Sequence, residues 1–170
     1  MIIIAHRGLL AGPDSTLENL PVQINKAIAA DYRAEVDVWK IGDIFYLSHD
    51  EPTDYNNLDP SRIVNVDFFR ERSDKLYIHC KNIEALEYFT EINEKLTIFT
   101  CFWHQNDDYT LTSQSEIWAY PNYNVTAKYS RNAICVKPEL ADSDFTCDNF
   151  NAICTAYADD YNFLYNESDV

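Results

Sequence analysis

The 170-residue chain has only three glycines, and their positions exclude one common way of binding phosphate. Gly8, Gly12 and Gly42 stand apart in the sequence, so there is no glycine-rich loop of the P-loop or dinucleotide-binding type. No apolar run reaches the roughly 18 residues that a membrane-spanning helix needs. The sequence therefore predicts neither a nucleotide-binding loop nor a transmembrane helix.

Basic residues are also scarce. The chain has 13 Lys and Arg residues against 28 Asp and Glu residues, a formal net charge of −15. This imbalance argues against binding to nucleic acid and against stable association with anionic membranes. Lys137 is the last basic residue, and an acidic C-terminal tail is predicted over about residues 157–170. The length fits a single domain, residues 1–170.

The cysteines lack the spacing of a metal site or a redox motif. Their number is odd and no CxxC pair occurs, so they are predicted to be buried, reduced thiols: Cys80, Cys101, Cys135, Cys147 and Cys154. The chain opens with an apolar run over residues 2–5 and without a basic leader. No signal peptide is therefore predicted, and a cytoplasmic location is expected.

Apolar runs of strand and helix type alternate along the chain. Strands are predicted at residues 2–5, 34–39, 44–48, 76–81, 97–102, 117–120, 133–136 and 152–155. Helices are predicted at 17–28, capped by Ser15 or Thr16, and at 83–96, capped by Asn82. This order favours a mostly parallel sheet, either doubly wound or a barrel. A complete (β/α)₈ barrel typically takes about 250 residues, so a barrel here must lose helices or a strand, and the crowding lies in the second half.

Titratable residues follow or interrupt these apolar runs. Glu35 and Asp37 alternate with valines, so both carboxylates lie on one face of a strand. Carboxylates held so close repel each other unless a cation or a proton lies between them, and a divalent metal is the simplest answer. The alternative is an edge strand whose acidic face is solvated.

Two histidines, His6 and His49, each come directly after an apolar strand. Imidazole titrates near neutral pH, so the pair can supply one general base and one general acid. A core or capping histidine is the alternative for either one alone. His104 lies in a polar stretch and is interpreted as a loop histidine without a role.

Four segments resemble, in order and spacing, the glycerophosphodiester phosphodiesterase family of the phosphatidylinositol-phospholipase-C-like phosphodiesterase superfamily: His6-Arg7-Gly8, Leu17-Glu18-Asn19, Glu35-Val36-Asp37-Val38 and His49-Asp50. The resemblance identifies the chain as a small, divergent member. It implies an α/β fold, an abbreviated TIM-type (β/α) barrel with reduced helices in the second half. It also implies catalysis by His6 and His49 with one divalent cation, and a phosphate held by Arg7.

The resemblance continues at residues 76–81, similar to the family's strand with a Glu-x-Lys element. Lys81 matches the phosphate-contacting lysine, whereas His79 stands in place of the glutamate. The implied metal ligands are thus Glu35, Asp37 and His79. The family implies Mg²⁺ or Ca²⁺, but an imidazole ligand favours Mn²⁺, Fe²⁺ or Zn²⁺. Ala156 replaces an aspartate that is usual in the last strand.

The implied activity is metal-dependent hydrolysis of glycerophosphodiesters to glycerol phosphate and an alcohol, with a small-molecule phosphodiester as the partner. Two alternatives stay open. One is a phospholipase-D-like enzyme of the same superfamily, and the other is a non-catalytic barrel that binds a phosphate ligand. An abbreviated barrel would expose apolar strand edges, and a homodimer is one way to cover them.

Overall fold

The structure, a computed structural model, describes residues 1–96, 98–121, 132–142 and 145–167. Its strands form one ten-stranded sheet. They are β1 (Ile2–Ala5), β2 (Arg33–Ile41), β3 (Ile44–Leu47), β4 (Ile63–Val64), β5 (Leu76–Cys80), β6 (Thr100–Phe102), β7 (Tyr109–Leu111), β8 (Ile117–Ala119), β9 (Ala133–Val136) and β10 (Ala152–Thr155). All eight predicted strands are present. The strand predicted from residue 97 begins at Thr100, residue 97 itself lying outside the described residues, and β7 has no counterpart in the sequence prediction.

The sheet is curled and mostly parallel. Its parallel strands follow the order β6-β5-β2-β1-β10-β9-β8, while β3, β4 and β7 add antiparallel pairs. Within the described ranges no pairing joins β6 to β8, so the predicted barrel is confirmed only as an open, curled α/β sheet. The reason is that β7 pairs with the edge of β8 that closure would use. Phe102 and Trp118 pack across the opening instead, with ring centroids 4.4 Å apart.

Four α-helices are described: α1 (Pro21–Ala29), α2 (Val66–Arg70), α3 (Ile83–Leu96) and α4 (Ala158–Asn162). The prediction that the first helix begins after Ser15 or Thr16 is wrong, because Asn19 has a left-handed φ of 60° and interrupts the chain before Pro21. Asn82 does cap α3, accepting a hydrogen bond from the Ala85 N–H at 3.2 Å. None of the described helices is long and apolar enough to cross a membrane.

The C-terminal segment that was predicted to be an acidic tail is folded over its described part. After α4 the chain makes one π-helical turn, Phe163–Glu167. Ala158 is buried, and Tyr161 and Tyr165 pack against the main core. Residues 168–170 of this segment lie outside the described residues.

An apolar layer covers each of the two faces of the sheet. The larger one lies between the sheet and the helices, and the smaller one fills the inside of the curl. Along β2 the side chains of Val36 and Val38 belong to the larger layer, so Glu35 and Asp37 point the other way, into the curl. All five cysteines are buried and unpaired, as predicted.

Candidate active site

The carboxyl ends of the parallel strands surround a small cavity of about 110 Å³. All seven residues that the sequence singled out line this cavity: His6, Arg7, Glu35, Asp37, His49, His79 and Lys81. They come from four different strands or the turns that follow them: β1, β2 and β5 run parallel, and the antiparallel β3 returns along β2 and ends beside Val38. The chain is strongly acidic, yet this cavity gathers several of its few cationic groups.

The carboxylates of Glu35 and Asp37 are almost completely buried, with 2% and 1% of their side chains exposed. The alternative of a solvated edge strand is therefore wrong. β2 lies inside the sheet, between β1 and β5, and its register places Asp37 beside His79. Two buried acids in adjacent inward positions need partners of opposite charge or a proton.

Each of these carboxylates has one oxygen held by an N–H donor. The backbone N–H of Arg7 donates to Glu35 Oε2, and the Asn19 side-chain amide donates to Asp37 Oδ2, both at 2.9 Å. The other two oxygens face His79, whose Nδ1 lies 3.8 Å from Glu35 Oε1 and 2.9 Å from Asp37 Oδ1. One ligand atom from each of the three residues lies within 4.8 Å of the others. This arrangement can hold a divalent cation.

The surroundings of His79 suit a metal ligand. Its Nε2 lies 3.4 Å from the carbonyl oxygen of His104, and metal-binding histidines commonly donate their second N–H to such an acceptor. The ring also stacks on Phe102 and on His104, with centroid distances of 4.9 and 4.5 Å. These contacts fix the ring plane and leave Nδ1 directed at the carboxylates.

The carboxyl groups of Glu35 and Asp37 have very different pKa values. Burial, reinforced by the charge of Asp37, raises the pKa of Glu35 to about 8. Burial alone would also raise the pKa of Asp37, but the hydrogen bond from His79 and the charge of Arg7 hold it below its ordinary value. The pair therefore favours a single negative charge unless a further cation binds.

Two cations lie beside this pair. Arg7 Nε is 3.0 Å from Asp37 Oδ2, and Arg7 Nη1 donates to Glu18 Oε2 at 2.7 Å. Lys81 Nζ is 3.6 Å from Asp37 Oδ1. Glu18 and Asp37 thus orient the guanidinium at the cavity wall, where it can meet a ligand oxyanion.

The two predicted acid–base histidines differ in their surroundings. His6 is buried directly after β1, with Nε2 3.9 Å from Glu35 Oε2. Burial and the neighbouring charge of Arg7 lower its pKa well below the ordinary value, so the imidazole is neutral at pH 7. His49 is exposed two residues after β3, and its Nδ1 lies 2.8 Å from Asp50 Oδ1. The cavity is thus lined by a buried, neutral imidazole, that of His6, and by an exposed imidazole paired with a carboxylate, that of His49.

Sequence reasoning assigned no role to four residues that the structure places at this site: Glu18, Asn19, His104 and Lys137. Glu18 and Asn19 lie in a segment recognised by resemblance, but no local pattern reveals their partners. His104 lies in a loop, as predicted, and its ring and carbonyl both contact His79, which the sequence did not reveal. Lys137 directly follows β9, and this strand-end position was a usable signal.

Comparison with known proteins gives a structural match. The fold is similar to that of a glycerophosphodiester phosphodiesterase from Agrobacterium tumefaciens str. C58, with a TM-score of 0.59 and 13% sequence identity. The similarity covers 94% of this chain and 98% of that chain. No protein-family model matches the sequence, and no curated protein matches it significantly. The match therefore shows the fold, and it agrees with the architecture expected from the resemblance.

Proposed function

We propose that the protein is a metal-dependent phosphodiesterase that hydrolyses glycerophosphodiesters to glycerol phosphate and an alcohol. One observation carries the proposal: the triad Glu35, Asp37 and His79, which could hold a metal ion, lines the same small cavity as two cations and two histidines. Hydrolysis of a phosphodiester needs charge neutralisation, a general base and a general acid, and each has a candidate here. The fold similarity to a glycerophosphodiester phosphodiesterase supports the choice of substrate class.

Glu35 Oε1, Asp37 Oδ1 and His79 Nδ1 are the atoms that would hold one divalent cation. When bound, such a cation polarises a phosphoryl oxygen as a Lewis acid. The imidazole makes the ligand set a mixture of oxygen and nitrogen, which suits Mn²⁺, Fe²⁺ or Zn²⁺ better than Mg²⁺ or Ca²⁺. Asn19 and the backbone of Arg7 keep the remaining carboxylate oxygens in place.

Arg7 and Lys81 bind the phosphate. The Arg7 side chain is held from one side by Glu18, so little side-chain entropy is lost when it meets an oxyanion. The ammonium of Lys81 lies 3.6 Å from Asp37 Oδ1 and adds a second positive charge at the cavity.

The histidines transfer the protons. His6 is neutral at pH 7, so its imidazole can accept a proton from the attacking water as the new P–O bond forms. His49 is oriented through Nδ1 by Asp50 and donates a proton from Nε2 to the alcohol oxygen as the old P–O bond breaks. The products are a phosphate monoester and an alcohol, so the protons balance.

Turnover of glycerophosphocholine tests the proposal. Chelator-treated protein should be inactive, and activity should return when Mn²⁺, Fe²⁺, Zn²⁺, Mg²⁺ or Ca²⁺ is added singly, with an N-binding ion preferred. His6→Ala and His49→Ala should each lower kcat by about 10²–10⁴-fold.

A control separates loss of chemistry from loss of the fold. Both histidine variants should retain the rise in melting temperature that the activating ion produces in the native protein. Folded protein that shows no turnover with any ion, or variants with native rates, would contradict the proposed function.

A further inference from the structure

A third cation, Lys137, lines the same cavity. It directly follows β9, which lies two strands from β1 in the curled sheet, while Lys81 follows β5, two strands from β1 on the other side. Arg7 follows β1 itself. The three cations therefore surround the cavity from the middle of the curl and from both of its sides.

The backbone of Lys137 adopts a conformation that side chains disfavour. Its φ and ψ are 51° and 56°, in the left-handed region, and Arg7 is left-handed as well, with φ 54°. Glycine adopts this conformation without steric cost, so a lysine here is not explained by the turn alone. Unfavourable backbone angles concentrate where a side chain must be aimed at a site. The Lys137 N–H donates to the carbonyl of Cys154 at 2.7 Å, which fixes the turn.

Lys137 also differs from the other two cations in its charge balance. Arg7 forms ion pairs with Glu18 and Asp37, and Lys81 forms one with Asp37. Lys137 forms none with a carboxylate of the described residues, although its charge acts on His6, where it helps to lower the pKa. One positive charge at the cavity is thus left for a ligand.

We propose that Lys137 is a third phosphate-binding residue, and that it gives the cavity its affinity for doubly charged phosphate monoesters. The inference rests on the proposed function in naming a monoester, which is the product class of that reaction. The ion pairs of Arg7 and Lys81 offset much of their positive charge. The positive charge of Lys137 can instead pair with the second negative charge of a dianion, which a singly charged diester lacks. Glycerol phosphate should therefore bind more tightly than the diester and inhibit the reaction as it accumulates.

Binding at pH 8, where both probes are mainly dianions, tests the inference. Inorganic phosphate and glycerol phosphate are titrated calorimetrically into native protein, Lys137→Met and a control, Lys26→Met, whose lysine is exposed on α1. Lys137→Met should weaken binding by about tenfold or more, as expected for loss of a charged hydrogen bond. Lys26→Met should bind like the native protein. Native protein that binds neither probe, or equal affinity in Lys137→Met, overturns the inference.

Lys137→Gly separates a role in the ligand site from a role in the fold. Because glycine accepts the left-handed backbone, this variant should lose affinity as Lys137→Met does while its melting temperature is no lower than native. Lost affinity with a lower melting temperature would assign the lysine to the fold and overturn the inference. Binding does not depend on turnover, so phosphate binding that needs Lys137 without any hydrolysis would refute only the proposed function.

Discussion

The buried acid pair should make metal binding at the proposed site depend on pH. In metal-free protein Glu35 has a pKa of about 8, whereas in the unfolded chain it ionises near its ordinary value of 4.5. An acid whose folded pKa is raised stabilises the fold at low pH, and this contribution is lost as pH rises from the unfolded towards the folded pKa. A divalent cation can replace the proton of Glu35, so it should stabilise the protein far more at pH 8 than at pH 6.

The size of the effect follows from competition between metal and proton. Below its folded pKa, Glu35 must release a proton for the metal to bind, so apparent affinity falls about tenfold for each pH unit. Each tenfold change is worth about 1.4 kcal/mol of stabilisation at a fixed, saturating metal concentration. At pH 8 Glu35 is half ionised and at pH 6 about 1% ionised, a roughly 50-fold difference, so the stabilisation should fall by about 2.3 kcal/mol. For a chain of this length that corresponds to roughly 5–10 °C in melting temperature.

The assay is thermal unfolding with and without Mn²⁺ at both pH values, so that titrating groups away from the metal site cancel in the difference. Glu35→Gln keeps the size of the side chain but should abolish the metal-induced shift and should raise the melting temperature of metal-free protein at pH 8. The matched control is Glu84→Gln, an exposed acid on α3, which should behave like the native protein. An equal metal-induced shift at pH 6 and pH 8, or a native shift in Glu35→Gln, would refute the reasoning.

Three further predictions concern stability and accessibility. Asn19→Ala should lower the free energy of unfolding by about 2–4 kcal/mol in urea titrations. The reason is that two hydrogen bonds with the buried Asp37 are lost, one donated by the Asn19 side chain and one accepted by it. A loss below about 1 kcal/mol would contradict this account. Gly8→Ala should cost about 1–3 kcal/mol, since Gly8 has φ +76° and an added Cβ would lie 3.0 Å from the Ile24 backbone N. Gly42→Ala, with φ +56° and open space, should cost less, and equal losses would show that the contact does not matter. All five cysteines should resist a thiol reagent in folded protein and react in urea.

The sequence by itself determined which residues could share a site. The two-residue period of a strand places Glu35 and Asp37 on one face whatever the sheet does around them. Likewise, a polar residue that follows an apolar strand must lie at that strand's carboxyl end, which is why His6 and His49 were found without knowledge of the fold, whereas Lys81 was found through the family resemblance. These are local properties of the chain, and a local pattern is sufficient to predict them.

Tertiary structure decided what those residues contact. The register of β2 and β5, which the sequence leaves open, places His79 Nδ1 beside Asp37 rather than a residue away from it. The contact of Asn19 with Asp37 depends on a left-handed turn that no pattern marked, and it replaced the expected start of the first helix. Burial, which raises the pKa of Glu35, and the pairing of β7 with β8, which leaves the barrel open, arise only when distant segments meet. Long-range contacts of this kind set charge and shape, and a one-dimensional pattern does not contain them.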